Sequence, residues 1–257
     1  MQNFGVYVNL EKDADFCVTK NIISMVEKFG SKCEIADISK KYDFVISLGG
    51  DGTFLSAARK FFDSKIVGVN LGNLGFLSEI DKDSIETELK KIIDGSFSTE
   101  ERFFIETQAH DKRLIALNDI VVSRGNIARL LNLELYFDGK FVDNYVADGL
   151  IISTPTGSTA YSMSAGGPIV EPRLDVTIVT PICVHSLHQR PLIIDSKTEI
   201  KLVAKNGEFV VTADGQESID SEGVKEVIIK KSKEKVSIVK TGENCFFDTV
   251  RKKFHIV

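Results

Sequence analysis

The 257-residue sequence has no excess of positive charge, no closely paired cysteines and no long apolar run. Lys and Arg number 32 against 37 Asp and Glu, a net charge of -5. Nucleic acid and anionic membrane surfaces are recognised by a concentrated positive field, so this balance argues against both as partners. It leaves open a phosphorylated small molecule, which needs only local backbone donors and one or two cations. The four cysteines, Cys17, Cys33, Cys183 and Cys245, include no C-x-x-C pair and have mostly apolar neighbours. They read as ordinary reduced side chains rather than as disulfides or metal ligands. No apolar run approaches the roughly 20 residues that cross a bilayer, and the first residues carry no basic stretch followed by an apolar one. The expectation is a soluble, cytoplasmic protein. There is also no low-complexity linker and no periodic repeat. With 43% hydrophobic and 27% charged residues, the chain suffices for a large core and two modest domains.

Short strand-like and helix-like runs alternate over the first hundred residues. Phe4 to Leu10 is a strand candidate, and Asp15 to Phe29 carries apolar residues at helical spacing with Gly30 as a stop. CEIADI and DFVISL follow as strands, Thr53 to Phe62 as a helix and Lys65 to Asn70 as a strand. Asp81 to Gly95 is amphipathic, with acidic residues toward its start and a glycine stop, the order a helix dipole favours. This alternation predicts α/β architecture: a Rossmann-like N-terminal domain over 1-100 with a parallel sheet, whose ligand crevice lies beyond the carboxyl ends of the strands. From about Arg102 the period changes to strand-length segments broken by Asp, Gly, Asn, Pro and Lys. Among them are RLIALNDIVVSRG, EFVVTADG, VKEVIIKK and KVSIVKTG. Asp138-Gly139, between LELYF and KFVDNYV, is the strongest hairpin signal. Residues 101-240 are therefore expected to form a mainly antiparallel, β-sandwich-like C-terminal domain. The segment 241-257 is expected to return as a short helix or strand to the first domain.

Two glycine-rich stretches could carry chemistry. ISLGGDGTFL, from Ile46 to Leu55, runs from a strand into a helix start through Gly49, Gly50 and Gly52. Such a turn presents backbone N–H groups to phosphate oxygens and allows close approach where a side chain would obstruct. Asp51 within it would repel an anion, so it suits a sugar hydroxyl or a phosphate-bridging divalent ion, unless it only caps the helix. The turn is not an ordinary nucleotide fingerprint, lacking the Lys-Ser/Thr ending of a P-loop and the spacing of G-x-G-x-x-G. GVNLGNLGFL, which includes Asn70, follows the next strand and can approach a ligand closely or be a set of plain turns. Asn118 and Asp119 interrupt a β-like run. A polar pair there is either on the solvent face or holds something, and Asn offers the donor and acceptor that an adenine edge or ribose needs.

The second stretch, Asp148 to Gly167, packs Thr154, Thr156, Ser158 and Thr159 around Pro155 and Gly157 before Tyr161. Ser158 or Thr159 is a candidate helix cap, and Tyr161 offers an aromatic plane with a polar end. DGQES at Asp214 to Ser218 reads as a hairpin turn. His185 and His188 lack further ligands at metal-binding spacing and read as surface or interdomain hydrogen-bonding groups.

GGDGT at Gly49, GVNLGNLGFL at Gly68, LNDIVVSRG at Leu117 and DGLIISTPTGSTAYSMSAGGP at Asp148, in this order, resemble the bacterial and archaeal NAD kinases. That family lies within the superfamily of diacylglycerol kinases and phosphofructokinases. The resemblance covers residues 46 to 168, with TPICVHSLHQRPLII beyond them. It implies phosphorylation of the adenosine ribose 2′-hydroxyl of NAD to give NADP. ATP is the implied donor, with polyphosphate as an alternative, and Mg²⁺ or another divalent cation assists. Asp51 is then the general base, within a cradle formed by Gly50, Asp51, Gly52, Thr53 and Asn70. Asn118 lies near adenine and Asp119 near a ribose, with Asp148 at the nicotinamide end. Ala160 and Tyr161 pack on the dinucleotide, and Thr156, Thr159 and Ser164 supply polar contacts. No direct metal ligand is assigned. A homodimer or homotetramer is implied, with no nucleic-acid or membrane partner. The competing readings are a kinase of the same superfamily acting on a sugar or lipid hydroxyl, and a non-catalytic NAD(P)-binding sensor.

Overall fold

In the computed structural model, the residues described are 1–72, 75–78, 80–109, 111–125, 129–186, 188–242 and 245–254. Asn73 and Leu74 of the GVNLGNLGFL loop, and the last three residues of the terminal segment, lie outside them. The chain divides into two compact units, Met1–Arg102 with Lys235–Val257, and Phe103–Glu234.

The first unit is built from β1 (Asn3–Val8), α1 (Cys17–Lys28), β2 (Lys32–Ile35), β3 (Phe44–Gly49), α2 (Asp51–Lys60), β4 (Lys65–Asn70), β5 (Ile80–Asp81) and α3 (Ile85–Ile93). Its parallel strands run in the order β2-β1-β3-β4. All six residues of β3 are buried, as expected for a central parallel strand covered on both faces. Phe4, Val6, Ile46, Leu48, Val67 and Val69 of the sheet share one core with Ile22, Val26, Leu89 and Ile92 of α1 and α3. The predicted helix over Thr53 to Phe62 starts two residues earlier, at Asp51, because Gly50 serves as its N-cap. The predicted CEIADI strand ends at Ile35.

The second unit carries most of β6 (Ser98–Ala109), then β7 (Lys112–Ala116), β8 (Asp119–Arg124), β9 (Leu131–Phe137), β10 (Lys140–Ala147), β11 (Gly149–Ser153), a 3-10 turn (Thr156–Thr159), α4 (Tyr161–Ser164), β12 (Val176–Ile182), β13 (Leu192–Asp195), β14 (Ile200–Ala204), β15 (Phe209–Ala213), β16 (Glu217–Asp220) and the start of β17 (Glu226–Lys240). The terminal helix α5 (Phe246–Phe254) belongs to the first unit. One antiparallel layer runs β13-β12-β11-β8-β15-β16; in the other, β10, β9, β14 and β17 pair in turn. Inward residues of both layers form one core, with Leu133, Tyr145 and Leu202 against Val122, Ile152 and Val211. Alternate burial along β9, β14 and β15 is the period-2 pattern of a sandwich. The β9–β10 hairpin turns at Asp138 and Gly139, with φ of 48° and 76°, the left-handed pair that a tight hairpin requires.

Two sequence expectations change. VKEVIIKK and KVSIVKTG, read as separate strands, are one fifteen-residue strand, β17, in which Lys230, Lys233 and Lys235 are exposed and Lys231 and Lys240 partly buried. RLIALNDIVVSRG is broken into β7 and β8 at Leu117–Asn118. There the backbone amides bond a side chain from another hairpin in place of a ladder partner.

Candidate functional site

Asp51 is the first residue of α2, at the carboxyl end of β3. Its Oδ2 accepts the Phe76 N–H at 2.8 Å and its Oδ1 accepts the Leu77 N–H at 3.1 Å. Each oxygen retains a lone pair for a further donor. The surrounding glycines are demanded by space. A Cβ on Gly75 would fall 2.1 Å from Asp51 Oδ1, one on Gly68 would fall 2.8 Å from the Leu77 carbonyl oxygen, and one on Gly49 would fall 2.2 Å from Thr53 Oγ1. The Asp51 seat therefore depends on β4 and the following loop coming closer than any side chain permits. Leu71 donates to the Gly49 carbonyl at 2.8 Å, joining that loop to the glycine turn. Asn70 is buried, and its Oδ1 accepts the Gly72 N–H at 2.9 Å, so part of its role is to shape this loop. The first intrahelical bond runs from Phe54 N–H to the Gly50 carbonyl, leaving the amides before it to other partners.

In the second unit a cavity of about 340 Å³ is lined by Asn118, Asp119, Ala160, Tyr161, Asp214 and Gly215 among others. Four of the sequence-predicted residues therefore meet at one place. Asp148, Thr156, Thr159 and Ser164 are outside this lining. Asp148 pairs instead with Arg124 at 3.2 Å, beside Ser123 of the cavity wall, and its backbone carbonyl accepts the Arg124 N–H. Thr156 is buried, and Ser164 is exposed at the end of α4.

Asn118 and Asp119 are held by Asp214. Its Oδ1 accepts the Asn118 N–H at 2.8 Å and the Asp119 N–H at 3.3 Å, and its Oδ2 accepts the Leu117 N–H at 3.2 Å. From the other side, Thr154 Oγ1 donates to the Leu117 carbonyl at 2.5 Å, and Ser153 Oγ and the Thr154 N–H donate to the Asn118 carbonyl. Gly157 is pressed on the same carbonyl, 2.2 Å from where its Cβ would stand. Asp119 is only 4% exposed. Burial first, and the Asp214 charge second, push its carboxyl up to about 7. Tyr161 is 46% exposed, so its ring stands at the rim, available for stacking.

The hydroxyls of TPTGSTAYS divide differently from the capping expectation. α4 has no side-chain cap. Ser158 is buried and both accepts from the Val170 N–H and donates to the Val170 carbonyl at 3.1 Å, closing the loop on itself. Asp214 was missed as a site residue because DGQES resembles any Asp-Gly hairpin turn. Its φ of 51°, like the 48° of Asp138, fits that turn, and only the direction of its carboxylate distinguishes it. Phe76 carried no polar signal, since its contribution is a backbone amide.

The comparisons agree with one another. The ATP-NAD kinase N-terminal domain family matches residues 10–97 and the ATP-NAD kinase C-terminal domain family residues 117–241. The chain is 39% identical to an NAD kinase of Caldanaerobacter subterraneus subsp. tengcongensis, over 98% of this chain and 99% of that one. It is 38% identical to an NAD kinase of Clostridium perfringens, over 98% of each. Among solved structures it is similar to an Archaeoglobus fulgidus NAD kinase in complex with ATP, with TM-score 0.85 and 30% identity over 97% of this chain and 98% of that one. It is also similar to yeast NADH kinase complexed with NADH, with TM-score 0.83 and 26% identity over 100% and 88%.

Proposed function

The chain belongs to the NAD kinase family, whose reaction phosphorylates NAD to NADP, and from that premise we propose how its own residues perform the transfer. NAD lies against Asn118, Asp119, Ala160 and Tyr161, with Asn118 toward adenine and Asp119 toward a ribose. Asp148, Thr156, Thr159 and Ser164 contribute outside that cavity. The triphosphate of ATP rests on the turn from Gly50 to Thr53, at the start of α2. The 2′-oxygen of the adenosine ribose attacks the γ-phosphorus in line. A new O–P bond forms as the bond to the ADP oxygen breaks, ADP leaves, and the 2′-hydroxyl proton passes to Asp51. The alcohol is far from ionised at neutral pH, so placement of the oxygen and stabilisation of charge carry most of the rate.

The observation that carries this reading is the fixed carboxylate of Asp51, seated at the start of α2 by the Phe76 and Leu77 amides. A base held this way loses no freedom when substrate arrives. Among the described residues no group of three His, Cys, Asp or Glu side chains comes together. A Mg²⁺ ion would be carried mainly by the donor phosphates, and Asp51, whose carboxylate oxygens each accept only one amide, is the candidate protein ligand. When bound, such an ion offsets the phosphate charge.

Polyphosphate is a second candidate donor, since the turn would recognise phosphate without a base. No described helix is long and apolar enough to cross a membrane. A homodimer or homotetramer is supported by the exposed Phe141, Val142 and Val146 on β10, an end strand of its sheet. The decisive assay incubates purified protein with NAD, Mg²⁺ and either ATP or polyphosphate and measures NADP. Failure to form NADP with either donor refutes the reading.

A further inference from the structure

The turn that ends β1 holds a lysine over the glycine turn, with no acidic partner among the described residues. Asn9 N–H donates to the Leu48 carbonyl at 3.1 Å, tying this turn to the end of β3, and the amides of Lys12 and Asp13 close back on the Asn9 carbonyl. Asp13 anchors the far side, accepting the Val18 and Thr19 amides and the Thr19 hydroxyl at 2.6 to 3.0 Å. Burial would raise the Asp13 carboxyl, but these hydrogen bonds outweigh it and hold the group below its usual range. The segment carrying Lys12 is thus pinned at both ends.

Lys12 Nζ lies 3.2 Å from where a Cβ of Gly50 would stand and 3.3 Å from the corresponding point on Gly72. It therefore occupies space that two glycines leave open, one the N-cap of α2 and the other in the loop after β4. Among the described residues no carboxylate lies within ion-pair distance of it. The Asp51 carboxylate, an anion in the first turn of α2, is turned toward the Phe76 and Leu77 amides and makes no ion pair with Lys12. A cation at the positive end of a helix dipole is electrostatically disfavoured. Local rules broken without internal compensation are a mark of functional positions. An anion between the ammonium and the first turn of α2 removes the conflict.

We propose that Lys12 binds the phosphoryl donor, its ammonium holding the terminal phosphate oxygens of a triphosphate or polyphosphate laid on the Gly49–Thr53 turn. The assignment rests on the kinase reading above and deepens it. Lysine suits this place because it is a compact charge that follows phosphate oxygens as they move, without imposing a planar fork.

The test uses the full chain. Lys12→Met should raise KM for ATP about tenfold or more and weaken inorganic tripolyphosphate binding in calorimetry by a similar factor, while KM for NAD stays within about twofold. Lys12→Arg should recover most of both losses. The side chain is exposed and makes no ion pair among the described residues, so neither change should prevent folding. Unfolding curves check this. If the unmodified enzyme makes NADP but Lys12→Met keeps its KM for ATP and its tripolyphosphate affinity, the Lys12 assignment is overturned and the kinase reading stands. If the unmodified enzyme makes no NADP, the kinase reading fails first.

Discussion

Phe76 joins the terminal helix to Asp51. Its backbone N–H donates to Asp51 Oδ2 at 2.8 Å, while its ring packs on Phe246 and Phe254 of α5, each with centroids 6.1 Å away, and beneath Lys253 Nζ at 4.4 Å. A residue whose amide orients Asp51 is thereby steadied by the terminal helix. Replacing Phe246 with Ala should reduce kcat by about tenfold, because small misplacements of a reacting group are costly. KM for NAD should change little, since α5 does not line the cavity of Asn118 and Asp119. Equal loss in kcat and NAD affinity would point to general loosening instead.

Asp51→Asn should leave a folded protein that retains much of its NAD binding and loses about 10²-fold or more in turnover. The amide offers one acceptor oxygen where the carboxylate offers two, so one of the Phe76 and Leu77 amides then faces an N–H donor. A stability loss of about 1–3 kcal/mol should accompany the change, measured by urea unfolding. A folded variant with near-normal turnover removes Asp51 from the proton-transfer role.

Gly75→Ala tests the seat without altering the carboxylate. The added methyl would lie 2.1 Å from Asp51 Oδ1, so the acid or the loop must shift. The expected result is a fall of about tenfold or more in kcat at preserved charge. An alanine variant with unchanged kcat would show that the Asp51 position is not critical.

Asp214→Ala removes the acceptor of three amides, those of Leu117, Asn118 and Asp119. Hydrogen bonds to a charged group contribute about 1.5–3 kcal/mol each, so the loop should loosen and KM for NAD rise about tenfold or more. Asp214→Asn, which keeps one acceptor oxygen, should lie between. If direct NAD titration finds both variants equal to the unmodified protein, Asp214 has no part in the site.

Asp119 should leave a mark on stability against pH. Its carboxyl, raised to about 7 by burial and then by Asp214, compares with about 3.9 for an unfolded aspartate. Between those values the folded protein keeps a proton that the unfolded chain has released. The stabilisation linked to this group is fully present below about pH 4 and is lost as pH rises through about 7. Asp119→Asn, neutral throughout, should lose less stability than the unmodified protein between about pH 5 and about pH 8 in urea unfolding. Identical losses would contradict the raised value.

Much of this protein was legible in its residues because the deciding physics is local. Helical spacing and a Gly30 stop identify α1, the run Lys65 to Asn70 gives β4, and Asp138-Gly139 gives a hairpin whose left-handed angles those two residues tolerate best. The glycine turn around Asp51 was visible for the same reason, since its chemistry lies within five consecutive residues. Long-range relationships were not visible. The carboxylate of Asp214 reaches amides 95 to 97 positions away, the Phe76 amide reaches Asp51 across 25, and Lys12 finds its place only when β1 and β3 lie side by side. Neither a backbone amide nor the direction of a turn carboxylate has a signature in composition or periodicity. Sequence alone settled which short segments become strands, helices and glycine turns. Tertiary packing decided which carboxylate is held, which is buried and which cation stands over the turn, because distance, desolvation and charge proximity exist only once the segments meet.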